Sequence, residues 1–275
     1  MDLSSAIGMV VGVGLILGAI FMEGNAGLYL STSGFMIAFG GVIASLFIAY
    51  PLIDVLRTFK YVRAVFFTRI SHNLPEFVNT FEEYARVIRR EGPIAMERAM
   101  ERFDDDFYKQ GCQLVADGIA SDKIEEILSK DIEAMQDRHK VGQEMFRFGM
   151  QAGPAFGLIG AVIGIIQMLG ALGEGQAGPE TIAKMAAGMA IAMCATLYGI
   201  TLAYLICAPI AQKLTKRSDE EVNEKLMLME GILALQAGDP APLVRQRMEA
   251  LLPPALRKGS APAAEQPRGR AAAGL

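Results

Sequence analysis

The chain has 275 residues, a formal net charge of -4 at pH 7 and a hydrophobic content of 52%. Its mean hydropathy of +0.31 is high for a soluble domain, so the apolar residues must be concentrated in particular segments. The acidic balance argues against nucleic acid as the main partner. The three scattered cysteines form no disulfide or metal-binding pattern.

Four apolar segments have the length of a membrane span, since a helix rising about 1.5 Å per residue needs roughly 20 residues to cross about 30 Å of hydrocarbon. None of them contains Asp, Glu or Arg, and their only lysine is Lys184, near the start of the last one. We therefore predict an all-α integral membrane protein with four transmembrane helices, at about residues 3–22, 31–52, 153–172 and 183–210.

The positions of lysine and arginine predict the orientation in the membrane. No basic residue precedes Arg57, and the two short connectors 23–30 and 173–181 contain none. By the positive-inside rule both connectors lie outside, and both termini lie in the cytoplasm with the long segment between spans two and three. The predicted plan is a first transmembrane hairpin (1–56), a cytoplasmic helical domain (57–150), a second hairpin (151–211), a cytoplasmic helix (212–256) and a disordered tail (257–275).

Periodicity predicts long helices on the cytoplasmic side. Apolar residues between Phe77 and Ile88 recur at helical spacing and indicate an amphipathic helix over about 75–90. Another helix begins near Ser121, and nothing obvious stops it before Gly153, so it is expected to continue into the third span. The second span is likewise expected to run on past Pro51.

Small and weakly polar residues characterise the spans. Glycines four residues apart, such as Gly160 and Gly164, allow close helix packing, either within one chain or between chains. Pro154 either kinks the third span or begins it. The hydroxyls of the spans are expected to bond to backbone carbonyls one turn back. Because the spans contain no carboxylate or histidine, an ion-conducting role requires a titrating residue from another chain.

No residue pattern supports an enzyme, a cofactor or a metal site. A nucleophile with a neighbouring base is absent from the sequence pattern, and the two histidines, His72 and His139, stand alone. The segment GEGQAG from Gly173 matches a dinucleotide-binding fingerprint only formally, because it lies in an outer connector between two spans.

Three motifs together resemble the MotA/PomA family of flagellar stator subunits, within the MotA/TolQ/ExbB superfamily. They are RREGPIAMER from Arg89, GPAFGLIGAVIGIIQML from Gly153 and GMAIAMCATLYGITLAYLICAPIAQKL from Gly188, and the resemblance extends to about residue 250. It implies a homopentameric ring in the bacterial inner membrane around a dimer of MotB-type subunits. Each partner would have a single span with one essential aspartate and a peptidoglycan-binding domain.

The same resemblance implies an ion path along the third and fourth spans. Pro154, Ala161, Thr196 and Pro209 match family positions that face the ions or the partner helix. Sodium-driven relatives carry threonine where this chain has Ala161, and many have a threonine pair where it has Ala195 and Thr196. The resemblance therefore favours protons as the coupling ion.

The resemblance also implies electrostatic contact with FliG, the switch-complex protein of the rotor, and a role in flagellar rotation and chemotactic motility. Glu97 matches one member of the charged pair involved, and either Arg89 or Arg90 matches the other. Two alternatives are an ExbB/TolQ-like energiser of outer-membrane processes and a passive membrane scaffold. The leading hairpin and the cytoplasmic charges favour the stator over the energiser.

Overall fold

The computed structural model describes residues 3–57, 74–92, 105–173, 178–253 and 256–257, and every regular element in these ranges is helical. This result confirms the predicted all-α class. The helices are α1 Leu3–Met22, α2 Thr32–Phe35, α3 Gly41–Ala49, α4 52–57, α5 Leu74–Glu91, α6 Asp106–Ala116, α7 Ser121–Gly173, α8 Pro179–Thr201, α9 Ala208–Gln236 and α10 Ala241–Leu251. A 3-10 turn covers Ala26–Tyr29, and π-helical turns cover Met36–Gly40 and Leu202–Cys207.

Within the described ranges, three helical stretches are long and apolar enough to cross a membrane, judged by length and composition. They are Ala26–Ala49, Ser121–Gly173 and Pro179–Gln236; the first covers most of the second predicted span, and the other two contain the third and fourth. Helix α1 contributes a shorter apolar stretch, Ile7–Met22. The first of the four spans therefore stays a prediction.

Two expectations about helix continuity had opposite outcomes. Helix α7 runs unbroken from Ser121 to Gly173, as the absence of a stop signal predicted. The second span, however, does not continue past Pro51, because α3 ends at Ala49 and Tyr50 adopts an extended conformation with φ -130° and ψ 148°. A residue that precedes proline is disfavoured in the helical region, and this restriction explains the break.

The chain divides into two compact units. The first comprises Met1–Ile70 with Met135–Asp219, and the second comprises Ser71–Ala134 with Glu220–Leu275. Helices α7 and α9 contribute residues to both units. The domain limits predicted from the sequence mark where the chain enters the membrane, and they stay predictions. The predicted tail lies outside the described residues beyond residue 257.

The second unit has a core of interlocking apolar side chains. Phe81 of α5, Tyr108 of α6 and Ile232 of α9 are fully buried in it. The ring of Phe81 packs directly on Gly231, where an added Cβ would lie 2.6 Å from the ring carbons. The predicted amphipathic helix is thus confirmed as α5, with its apolar face buried.

Ion pairs hold helix α10 against this core. Arg245 donates to the Glu82 carboxylate of α5 at 2.6 Å and to Asn79 at 2.9 Å. It also pairs with Glu249 at 3.0 Å, one turn along its own helix. Because these groups are only partly exposed, the pairs orient α10 on α5 more firmly than fully solvated pairs would.

Cys112 is fully buried in the core of the second unit, and this burial should lower the reactivity of its thiol. Burial raises the pKa of the thiol to about 12, although a hydrogen bond with Tyr108 opposes the increase. Compared with the ordinary value of 9.0, the thiolate fraction near pH 8 falls on the order of 1000-fold. We expect iodoacetamide to leave Cys112 unmodified in the folded protein and to alkylate it rapidly in denaturant.

Peptide mass spectrometry after timed alkylation would measure this difference without any substitution. The same pKa shift has a consequence for stability, because an unfolded thiol ionises from about pH 8.5 while the folded one stays neutral. The stabilisation from Cys112 is therefore complete below that pH and is lost as the pH rises through about 12. Equal alkylation rates in folded and denatured protein would contradict the buried placement.

Candidate functional site

Thr196 lies half-buried on α8, and its hydroxyl contacts backbone carbonyls on two helices. The hydroxyl donates to the Ala192 carbonyl at 3.0 Å and approaches the Gly157 carbonyl of α7 at 3.4 Å. While its single proton is engaged by these carbonyls, the oxygen keeps a lone pair that can accept from a further group. The expected bond to the carbonyl one turn back is confirmed for Thr196.

Glycines bring α7 into backbone contact with α8 beside Thr196. A Cβ added to Gly157 would lie 3.1 Å from both the Ala195 carbonyl oxygen and the Cα of Thr196. A Cβ on Gly160 would lie 2.3 Å from the Cβ of Ala195, which is fully buried. A side chain at Gly160 would clash outright and one at Gly157 would be tightly crowded, so these two glycines set the distance between the helices at the Thr196 level.

The same helix pair is closed at two further levels. A Cβ on Gly199 would lie 2.3 Å from the Gly153 carbonyl oxygen, and one on Gly164 would lie 2.4 Å from the Gly188 carbonyl oxygen. The sequence left open whether Gly160 and Gly164 pack within one chain or between chains, and the structure shows packing within the chain. In helix α1, an added Cβ would meet no atom within 4 Å at Gly8, Gly14 or Gly18, and at Gly12 it would lie 2.8 Å from the end of the Leu205 side chain.

Pro154 and Ala161 lie on either side of Gly157 in the sequence of α7. Pro154 is inside the helix and half-buried, three residues before Gly157. It therefore lies within the helix and does not begin it, and the helix loses one backbone hydrogen bond there because proline has no N–H to offer the Met150 carbonyl. Ala161 is also half-buried, about one turn beyond Gly157. Pro154 and Ala161 thus lie within about one turn of Gly157, the α7 residue that meets Thr196.

Pro209 lies apart from that region. It is exposed and follows Thr196 by 13 residues, which corresponds to about 20 Å along a helix at 1.5 Å per residue. The π-helical turn Leu202–Cys207 comes just before it, and the Ala208 N–H donates to the Ala203 carbonyl five residues back. Wide turns of this kind accommodate a proline, because the proline ring crowds the preceding turn and offers no donor.

The predicted rotor-facing arginines end helix α5. Arg89 and Arg90 are both exposed in its last turn, and neither pairs with another described residue. The preceding arginine, Arg86, instead pairs with Glu82. The structure leaves both Arg89 and Arg90 as candidates for the family arginine, and Glu97 lies outside the described residues.

One contact near Thr196 was not predicted from the sequence. Cys194 and Tyr198, on the adjoining turns of α8, hydrogen-bond to the backbone of the connector between α1 and α2. Their spacing of four residues shows that they share a helix face. No sequence signal indicates which backbone groups that face meets.

The described part of the chain contains no group of three or more His, Cys, Asp or Glu side chains that could hold a metal ion. Its three cysteines, Cys112, Cys194 and Cys207, are free thiols. The chemistry available around Thr196 is therefore that of hydroxyl and carbonyl oxygens in an apolar setting. Such groups can bind a proton donor or a cation but cannot themselves titrate near neutral pH.

Comparison with known proteins gives consistent similarities. The family model of the MotA/TolQ/ExbB proton channel family matches residues 99–227. Motility protein A from Borreliella burgdorferi is 32% identical over 255 residues, which cover 92% of this chain and 95% of that protein.

Two solved structures are similar over nearly their full length. The first, of MotAB from C. jejuni, has a TM-score of 0.79 and 28% identity, and the match covers 92% of this chain and 96% of that one. The second, of the flagellar MotAB stator complex from Bacillus subtilis, has a TM-score of 0.78 and 30% identity with the same coverage.

Proposed function

Since this chain belongs to the MotA/TolQ/ExbB proton channel family and is a flagellar stator subunit, we propose that it couples inward proton flow to torque on the rotor. The observation that carries the proton-coupling proposal is the lack of any carboxylate in the apolar segments around Thr196. A proton path needs a titrating group in the membrane. A MotB-type partner with a single span supplies that group as an aspartate.

The bonding of Thr196 favours one protonation state of the partner aspartate. Because the hydroxyl proton is engaged by backbone carbonyls, the oxygen is ready to accept a hydrogen bond from a protonated carboxylic acid, whereas donating to a carboxylate would first break those bonds. Protonation from outside therefore allows the acid to enter the Thr196 region, and loss of the proton to the cytoplasm expels it. Each proton that crosses 100 mV supplies about 2.3 kcal/mol for this cycle.

Two alanines favour protons over sodium. Ala161 and Ala195 offer no hydroxyl oxygen to a cation, whereas sodium binding in proteins depends on several oxygen ligands. Torque should therefore be unchanged when sodium is replaced by potassium at constant proton-motive force. Tethered-cell rotation in matched buffers measures this, and rotation that stops without sodium would contradict proton coupling.

The assembly follows from the same proposal. Five copies of this chain form a ring in the inner membrane around two partner helices, with α1 as the first of four spans and both termini in the cytoplasm. Supporting this orientation, no lysine or arginine occurs before Arg57 or in the two outer connectors. The ring turns around its partner as the aspartates are protonated in turn, and its work is force generation and not enzymatic catalysis.

The cytoplasmic rim transmits torque to FliG through charge. Arg89 and Arg90 are exposed and not engaged with other described residues, so they are free to meet acidic groups on the rotor. Glu97 supplies the opposite charge. Pro209, at the cytoplasmic end of the fourth span beside a π-helical turn, lies where movement at the ion site would reach the cytoplasmic helices.

Reversing one arginine charge should weaken torque without affecting folding. We expect Arg89→Glu or Arg90→Glu to reduce swimming speed, and the larger effect to identify the family arginine. Stability should change by less than about 0.5 kcal/mol, as for exposed side chains. Lys130→Glu, an exposed reversal on α7, is the control. Wild-type swimming in the double variant Arg89→Glu/Arg90→Glu would rule out this surface as the rotor contact.

A further inference from the structure

Two side chains of α8 hold the connector between α1 and α2. The Tyr198 hydroxyl donates to the Tyr29 carbonyl and accepts from the Ser31 N–H at 3.1 Å. One turn earlier, the Cys194 thiol donates to the Leu28 carbonyl at 3.4 Å. We call these three contacts the connector clasp.

The clasp satisfies backbone groups where regular hydrogen bonding is interrupted. The 3-10 turn ends at Tyr29 and α2 begins at Thr32. Between them, the Leu30 N–H bonds back to Gly27 at 3.2 Å and the Ser31 hydroxyl caps the Gly34 N–H at 3.1 Å. These local bonds do not engage the Ser31 N–H or the Tyr29 carbonyl, which Tyr198 pairs instead. Unpaired backbone groups at a membrane boundary are costly, so the clasp contributes to holding the connector in place.

The clasped connector leads directly into a close contact with the Thr196 turn. At the start of α2, an added Cβ on Gly34 would lie 3.1 Å from the backbone nitrogen of Ala195. The Tyr198 ring also packs edge-on against Phe35, with centroids 6.2 Å apart. On its other side, Ala195 meets Gly160 of α7. Three helices therefore converge on the residue before Thr196.

The geometry points to Tyr198 as a positioning residue for the Thr196 region. Its hydroxyl, assisted by Cys194, keeps α2 seated on Ala195 and so sets where Thr196 is presented to the partner helix. This inference rests on the proposed ion-coupling function. The Tyr198 hydroxyl acts here through its two hydrogen bonds to the connector backbone.

The test compares two Tyr→Phe variants on opposite sides of the same contact. Tyr198→Phe removes the bridging hydroxyl, whereas Tyr29→Phe keeps the carbonyl that the hydroxyl binds. In motors that recruit stator units one by one, the rotation speed of a bead attached to the flagellum rises in steps. The number of steps gives the number of units, and the step height gives the torque per unit. A purely structural defect lowers the number of units. We expect Tyr198→Phe to lower the torque per unit by about twofold or more, because the site is displaced, and Tyr29→Phe to match wild type.

A second measurement follows the connector without depending on motility. Ala26→Cys introduces a thiol at a half-buried connector residue, and a membrane-impermeant maleimide reports its accessibility in intact cells. Loss of the Tyr198 hydroxyl should raise the labelling rate about tenfold, since it leaves a donor and an acceptor unpaired. The chain without Ala26→Cys corrects for the native thiols.

The outcomes separate the clasp from the proposed function. Unchanged torque per unit in Tyr198→Phe overturns the positioning role, and unchanged labelling overturns the clasp itself. If Tyr198→Phe does not accumulate, Cys194→Ala against Cys194→Ser decides, because serine keeps a donor for the Leu28 carbonyl and should label like wild type. If the wild-type chain fails to drive swimming at all, the proposed function fails, while the labelling result still stands.

Discussion

Replacing Gly199 by alanine is expected to force α7 and α8 apart and leave cells non-motile. The added Cβ would lie 2.3 Å from the Gly153 carbonyl oxygen and 3.1 Å from the Cα of Gly157. Both are backbone atoms, which cannot rotate away as the end of a side chain can. Overpacking of such a contact costs about 1–3 kcal/mol. The separation would also remove the approach of the Thr196 hydroxyl to the Gly157 carbonyl.

Three measurements check this expectation: the melting temperature of the detergent-solubilised protein, its amount in the membrane, and swimming. Gly170→Ala is the matched control, because it adds the same methyl group to α7 where no atom lies within 4 Å. That variant should fold at least as well as wild type, since alanine favours helix over glycine by about 1 kcal/mol. A Gly199→Ala protein that melts and swims like wild type would show that the two helices are not packed this closely.

Replacing Thr196 by valine is expected to stop the motor while leaving the protein folded. Valine keeps the shape of threonine but removes the oxygen that we propose accepts the partner's carboxylic acid proton. Leaving that acid unpaired costs about 1–3 kcal/mol. The Ala192 carbonyl, which now accepts from the hydroxyl, still receives its regular bond within the helix. Cells that carry Thr196→Val should therefore not swim, although the amount of protein in the membrane changes little.

Two further substitutions make this test specific. Thr196→Ser retains the oxygen and should preserve most of the torque. Thr201→Val makes the same chemical change on the last turn of α8, away from the Gly157 contact, and should leave motility close to wild type. If Thr196→Val swims normally, or if Thr201→Val is equally impaired, the hydroxyl of Thr196 has no special part in ion coupling.

Features that depend on composition and periodicity were predictable from the sequence. The apolar face of α5 was evident from its spacing, and Phe81 is indeed buried in the core of the second unit. The continuity of α7 followed from the lack of any stop signal between Ser121 and Gly153. Patterns of this kind identify helices because burial and backbone hydrogen bonding act over many residues at once.

Features that depend on a single backbone conformation or a distant contact were not predictable. The apolar pattern runs through Pro51, yet the extended conformation of Tyr50 ends the helix there. The clasp of Tyr198 on the connector joins groups more than 160 residues apart in the sequence. Periodicity placed Gly160 and Gly164 on a close-packing face, but only the structure shows that the neighbouring helix belongs to the same chain.

The most direct test of the central claim is to delete the gene for this chain, image the cells for flagella and track their swimming. A stator subunit supplies torque but is not part of the filament, so the account predicts intact flagella that do not rotate. Swimming should return when the wild-type gene is restored and should stay absent with the Thr196→Val gene. Deleted cells that swim at the wild-type speed would contradict the account.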